Sequence, residues 1–372
     1  MASHRKPADV RRKIITGIAA VGTLAGILYA LQLHWTTGLE VALWAAGLQS
    51  PQAGLELLSE TIKRPQAHAG HTTSTTVGSG ISTAPSGVDQ DPFNEEAEDT
   101  YVIPENKGDG GQISEQQMTS GSKFVNGVAI RDRSSNEDLS LEKEAVIPPE
   151  LVIEDTDAPQ VLIVHTHTTE TYMPYYAGYY NDGDTPRSTD ESKNVAAVGR
   201  AITAQLQAAA IGVIHDTTVH DYPKYTGAYT RSAETVEKNL KKYPSIKVVL
   251  DVHRDGIMLD DTTKIKPTTK VKGKKAAQMM LVMGVKDTKD IPHPNWQENL
   301  HFAMALQSKL HTAYPGLVRP ISCVDSRYNQ HMCSAYILIE MGSEANTLGE
   351  AIYSGQLLGK QLGELLNSLK ET

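Results

Sequence analysis

The run "IKVVLDVHRD" at 246–255 is apolar at successive positions and then turns abruptly polar. A strand with apolar side chains on both faces is stable only inside a sheet covered on both sides, which is the arrangement of parallel α/β proteins. Further strand patterns recur at 161–166, 211–216, 279–285, 317–322 and 335–342. Segments with helical spacing alternate with them, at 192–210, 232–243, 296–314 and 347–369. Val195, Val198, Ile202 and Leu206 form an apolar stripe on the first of these, and Leu357, Leu358, Leu362 and Leu365 form one on the last. Both stripes read as core. The alternation predicts an α/β domain over 158–372, with a mostly parallel central sheet flanked by helices.

The sequence ahead of that domain has a different character. "RRKIITGIAAVGTLAGILYALQLHW" carries about twenty uncharged, mostly apolar residues from Ile14 to Leu33, enough to cross a bilayer at ~1.5 Å per residue. A cleaved signal peptide usually has a shorter apolar region followed by a small-residue cut, so an uncleaved anchor is expected. Arg5, Lys6, Arg11, Arg12 and Lys13 all precede the apolar stretch. They predict a cytoplasmic tail at 1–13, a single transmembrane helix at 14–34 and export of everything beyond it. The chain is thus expected at the cell membrane, with "VALWAAGL" (41–48) resting at the membrane surface. Residues 35–157 are rich in Ser, Thr, Gly and Asp and read as a flexible acidic extracytoplasmic linker. Weak local order is expected only near "GVAI" (127–130) and "AVIPPELVI" (145–153), and His68 and His71 read as solvated linker. A net charge of −9 argues against a nucleic-acid binder. Two cysteines, Cys323 and Cys333, make no disulfide framework and no zinc knuckle, and leave one disulfide across a loop open.

Three of the strands end in polar groups of compatible chemistry: "HTHTTE" (165–170), "DVHRD" (251–255) and "LIEMG" (338–342). Ligands of open α/β sheets bind at the carboxyl ends of the strands, so these groups are expected to converge. Zinc accepts imidazole nitrogen and carboxylate oxygen, and its catalytic sites use about three protein ligands. His253, with a histidine and a carboxylate from 165–170, satisfies that set. Glu340 then remains to move a proton between water and a leaving nitrogen. His165 and His167 share a face if the strand stays extended, so either is a candidate ligand, the other orienting it or touching substrate. Asp251 either holds His253 from behind or pairs with Arg254 or a lysine. Glu191, at the start of "ESKNVAAVG", is a further candidate carboxylate, or simply compensates the helix N-terminus.

"VLIVHTHTTETYMP", "VVLDVHRDG", "NWQENLHFAMALQSKLHTAYPGLVRPI", "YNQHM" and "YILIEMGSEANTLGEA" resemble, in order, the stage II sporulation protein P family, over about residues 158–370. That resemblance implies a zinc-dependent N-acetylmuramoyl-L-alanine amidase with Zn2+ as cofactor, peptidoglycan as substrate and a further endopeptidase activity on stem-peptide crosslinks. It implies a fold similar to the zinc amidases. It also implies a role in engulfment during sporulation, alongside stage II sporulation proteins D and M. The metal-ligand positions then fall on His165, His167, Glu170 and His253, with Glu191 in reserve for the carboxylate, and the catalytic glutamate on Glu340. The cysteine pair is a departure from the family pattern.

The lysine-rich segment 262–278 reads as a solvated hairpin or loop, or as a cationic rim for the carboxylates of stem peptides. Arg254, Arg319, Tyr328, Asn329 and Gln330 are expected to line the substrate groove. A reading of another class, a catalytically inactive peptidoglycan-binding scaffold, needs no metal constellation; loss of His165, His167, His253 or Glu340 would favour it.

Overall fold

The structure, a computed structural model, describes residues 109–119, 124–182, 184 and 187–370. All of them fall in the second of two units, which divide between Ser79 and Gly80. The basic tail, the membrane anchor, the surface patch at 41–48, His68 and His71 lie outside the described residues. Among the described residues no helix is long and apolar enough to cross a membrane.

In chain order the first strands are β1 (Gly111–Gln116), β2 (Phe124–Val125) and β3 (Val128–Asp132), followed by a one-turn helix α1 (Leu141–Glu144). Next come β4 (Pro159–Val164), β5 (Tyr179–Tyr180), α2 (Val195–Ala208), β6 (Gly212–His215) and α3 (Ala228–Lys242). The middle of the domain holds β7 (Val248–Asp255), β8 (Met258–Asp260), β9 (Thr263–Val271), β10 (Lys274–Ala277) and β11 (Met279–Gly284). It closes with α4 (Trp296–Ala313), β12 (Ile321–Val324), a 3-10 turn at Gln330–Met332, β13 (Tyr336–Ser343) and α5 (Leu348–Ser368).

Eight strands form the central sheet in the order β2-β3-β12-β11-β13-β7-β4-β6. Every join is parallel except β2 with β3 and β11 with β13, so the expected sheet is present with an antiparallel seam through it. β7 sits inside it, as its two-sided apolarity requires. Val248, Leu250 and Val252 face the main core, with Ile202, Leu206, Leu358 and Leu362 from α2 and α5. Val249 faces the other way, into a smaller cluster with Val236 of α3 and Tyr336 of β13. The two leucine- and valine-rich stripes are core, as their spacing implies.

The folded region starts well before Ala158, which corrects the expected linker. β3 pairs in parallel with β12, and Ala129 donates its N–H to Gln307 of α4 at 2.8 Å. β3 falls on the "GVAI" stretch where weak order is expected, whereas β1 escapes notice in the sequence because its partner β9 lies some 150 residues away. A second sheet, β10-β9-β1-β5 with β8 beside β9, was likewise not expected. The lysine-rich segment is its β9–β10 hairpin. Lys266 is fully buried there, its Nζ 2.6 Å from Glu350 of α5, which shows one of the expected rim lysines serving as an internal ion pair. Cys323 and Cys333 are both free thiols.

Candidate metal centre

The threonines of "HTHTTE" shape the site. β4 ends at Val164, and the chain then turns instead of staying extended. Thr166 donates its N–H and its hydroxyl to the carboxylate of Asp251, at 2.8 and 2.6 Å. Thr168 donates its hydroxyl back to the carbonyl of His165, and Thr169 binds Asp221 through both N–H and hydroxyl. Glu170 N–H closes the turn on the carbonyl of His167 at 3.1 Å. The turn sends the two histidines apart, so the shared face expected of an extended strand does not occur.

His167, Glu170 and His253 come together, with one ligand atom from each lying within 4.8 Å of the others. Glu170 stands between the histidines, Oε1 3.4 Å from His167 Nδ1 and Oε2 3.5 Å from His253 Nδ1. Ligand atoms on a tetrahedral zinc with bonds of about 2.0–2.1 Å stand roughly 3.4 Å apart, so these separations fit. His253 supplies the sharper test. Its Nε2 lies 2.9 Å from Asp251 Oδ1, and its Nδ1, apart from Glu170 Oε2 at 3.5 Å, is buried with no hydrogen-bond partner among the described residues. A ring that donates through Nε2 leaves a lone pair on Nδ1, the orientation in which a carboxylate fixes a ligand histidine. Asp251 therefore holds His253 from behind and does not pair with Arg254.

Burial opposes charge on His253, but Asp251 and Glu170 outweigh it and hold the imidazole well above its ordinary pKa. Burial likewise works to raise Glu170, and the two histidines override it and hold it well below its ordinary value. The carboxylates demand a positive charge between them, and a divalent cation meets the same demand.

Glu340 lies on β13 directly opposite His253 of β7, and its side chain is 4% exposed. A bulge follows at once, where Gly342 adopts φ +75° and a Cβ would meet Asn346 Oδ1 at 2.5 Å. That glycine lets the strand end turn while Glu340 stays in register. Burial, and then Asp255, push Glu340 well above the usual carboxylate range. A carboxylate of raised basicity, beside the cluster and outside it, is suited to accept a proton from water.

The other expected residues separate cleanly. His165 is buried away from the cluster, with Nδ1 2.8 Å from the carbonyl of Val252 and Nε2 2.9 Å from His215 Nε2. Burial, with His215, pushes it down to about 3. Glu191, the reserve carboxylate, is exposed and pairs with Arg200, so it takes no part in the cluster. Arg254 braces Glu170 through its backbone N–H at 3.0 Å and spends its guanidinium on Thr171, Asp255 and Glu344, rather than lining a groove. Asn329 donates to the Tyr229 carbonyl and the Ser232 hydroxyl and so ties the 3-10 turn to α3, while Gln330 binds Gly284 and Val282 at 2.7 Å each and ties it to β11. Tyr328 stands 5.5 Å from the Tyr229 ring, its phenol pushed up to about 12 by burial and by Glu340. Arg319 reaches Asp255 at 3.0 Å.

Sequence reasoning missed two tyrosines of the α3 region. Tyr225 stacks on His167 at 4.6 Å, and the Arg187 guanidinium lies 4.5 Å from the centre of the Tyr225 ring. Tyr229 lies edge-on to His167 at 5.6 Å and nearly parallel to His253 at 6.4 Å. Its hydroxyl is buried with no hydrogen-bond partner among the described residues. Nothing in a single sequence marks them, because a tyrosine near a helix start is ordinary core material.

The domain thus gathers two histidines and a glutamate, a donor set that zinc accepts, with a second buried glutamate alongside. The family model for stage II sporulation protein P (SpoIIP) matches residues 74–363, and the chain belongs to that family. It is 28% identical to stage II sporulation protein P of Bacillus subtilis (strain 168) over 205 residues, which is 52% of this chain and 48% of that protein. The match thus spans about half the length of the curated relative.

Among solved structures, the N-acetylmuramoyl-L-alanine amidase AmiC2 of Nostoc punctiforme is 8% identical and superposes with a TM-score of 0.34, over 57% of this chain and 97% of that one. The amidase Ami1 of Mycobacterium smegmatis is 11% identical, with a TM-score of 0.33 over 57% and 99% of the two chains. The CwlD amidase of Clostridioides difficile, solved with the GerS lipoprotein, is 12% identical, with a TM-score of 0.31 over 56% and 99%. Likenesses of this size carry no argument about the chemistry of this chain.

Proposed function

We propose that this chain is a zinc-dependent peptidoglycan hydrolase that cleaves the amide between N-acetylmuramic acid and the L-alanine of the stem peptide. The observation that carries the reading is the buried His167–Glu170–His253 cluster with Glu340 in register beside His253. Family membership supports a place in sporulation. The two histidines and Glu170 would hold the zinc, which supplies Lewis-acid activation of a water and of the scissile carbonyl. Glu340 accepts a proton from the attacking water as its oxygen bonds to the carbonyl carbon. The same carboxyl then gives that proton to the leaving nitrogen as the C–N bond breaks. Tyr229 offers its unpartnered hydroxyl to the carbonyl oxygen as negative charge develops there. Arg254 and Asp251 hold Glu170 and His253 in place.

The finer reading is that the chain works from the membrane, anchored by 14–34, in engulfment with stage II sporulation proteins D and M, and also cuts stem-peptide crosslinks. The test is digestion of purified peptidoglycan by the full chain in detergent, with and without a chelator, and mass spectrometry of the released ends. Free stem peptides beginning with L-alanine support the amidase reading. Wall that is bound but uncut, by a chain that retains no metal, refutes it in favour of the scaffold.

A further inference from the structure

Three arginines stand around the cluster, and their donors are used very differently. Arg254 directs its guanidinium to Thr171, Asp255 and Glu344. Arg187 binds Asp221 at 2.6 Å and lies 3.6 Å from Glu170. Arg319 makes one ion pair, from Nη1 to Asp255 Oδ2 at 3.0 Å, with the thioether of Met118 3.9 Å from the same nitrogen. Its Nε and Nη2 are buried and have no hydrogen-bond partner among the described residues, while the side chain as a whole is 4% exposed.

Those two nitrogens form one edge of the guanidinium, the fork that receives both oxygens of a single carboxylate. An arginine does not escape burial by losing its proton, so an unfilled fork is a standing cost that an acceptor would relieve. Asp255 does not fill it, because its other oxygen accepts from Gly256 N–H at 2.9 Å. The fork is also well placed. Arg319 N–H donates to the carbonyl of Met279, and Met279 pairs with Met341, the neighbour of Glu340. Asp255 pairs with Ser343 at the same end of β13. Glu340, Asp255 and Glu344 otherwise make this end of the sheet hostile to an acidic ligand, and Arg319 is a countercharge there with two donors unused among the described residues.

We propose that the Nε–Nη2 edge of Arg319 is a carboxylate subsite, which selects peptide amides carrying a free acid next to the bond at Glu340. The proposal rests on the hydrolase reading and names the substrate class for the same site. Both nitrogens of the fork are buried, so a carboxylate enters only as the side chains over that edge give way.

The test is calorimetric titration of the full chain with alanyl-glutamate and with its diamide. The parent should bind the acid about 10- to 100-fold more tightly than the diamide, as a charge-assisted pair implies. Arg319→Gln should bring that ratio close to one, and Arg319→Lys should keep part of it. Equal binding of acid and diamide by the parent, no binding of the acid, or a parental ratio in Arg319→Gln overturns the subsite. If the variants fail to fold, the parent's ratio still decides. Binding needs no turnover, so a chain that prefers the acid yet cuts no wall refutes the hydrolase reading alone. A chain that cuts wall without preferring the acid refutes the subsite alone.

Discussion

Replacing Asp251 by Asn separates the geometry of the centre from its charge. Asp251 is fully buried and accepts from Thr166 N–H at 2.8 Å, from the Thr166 hydroxyl at 2.6 Å and from His253 Nε2 at 2.9 Å. In the asparagine variant one oxygen still serves His253 and Thr166 N–H, and the Thr166 hydroxyl can reorient to accept from the new amide. The network therefore survives at a cost of about 1 kcal/mol. The negative charge behind His253 does not survive. Removing such a partner typically weakens metal affinity 10- to 100-fold, or about 1.4–2.7 kcal/mol. Asp251→Ala instead strands two buried donors, Thr166 N–H and His253 Nε2, while the Thr166 hydroxyl still reaches Ser232, and should cost about 2 kcal/mol or more of folding stability. The assay is competition for zinc against a chelator of known affinity, with urea unfolding of each variant. Parental zinc affinity in a folded Asp251→Asn protein would show that Asp251 does not hold His253 as a ligand.

Glu340→Gln should retain zinc and lose about 10²- to 10⁴-fold in kcat; undiminished turnover removes the proton-transfer role. Because burial and Asp255 hold Glu340 above its ordinary value, the parent's rate should fall as acid protonates it, starting at a higher pH than for an exposed carboxylate. Tyr229→Phe should lower kcat roughly 10²-fold with KM and zinc content unchanged, and a parental kcat would deny it contact with the carbonyl oxygen. His215, which burial and Arg200 push down from 6.5 to about 4, stays neutral in the fold while the unfolded chain takes up a proton. Its contribution, up to about 3 kcal/mol, is intact above about pH 6.5 and is lost as pH falls toward 4. His215→Gln should flatten that part of the stability profile, and an unchanged slope would refute the assignment.

The strands that meet at the site were legible because each is an unbroken apolar run that ends in a polar group. β4, β7 and β13 are found in this way, and with them His167, Glu170, His253 and Glu340. What the sequence could not show was the path of the chain after a strand ends. The threonine turn at 166–169 decides between His165 and His167, and its anchors, Asp221 and Asp251, are distant in sequence. Glu191 was separable only once its exposure and its Arg200 partner were visible. β1 was hidden in a polar, glycine-containing tract, and β3 showed only as the short apolar "GVAI", because they pair with β9 and β12, far along the chain. Local composition reports little about strands whose partners are that distant.

If His167, Glu170 and His253 hold a catalytic metal, His165 is dispensable for it. Zinc stoichiometry of the purified full chain, measured in the parent and in His165→Gln, His167→Gln and His253→Gln, tests it most directly. About one zinc per chain is expected in the parent and in His165→Gln, and little or none in the other two. A parent without zinc, or a His165→Gln protein that loses it while His167→Gln keeps it, would contradict the account.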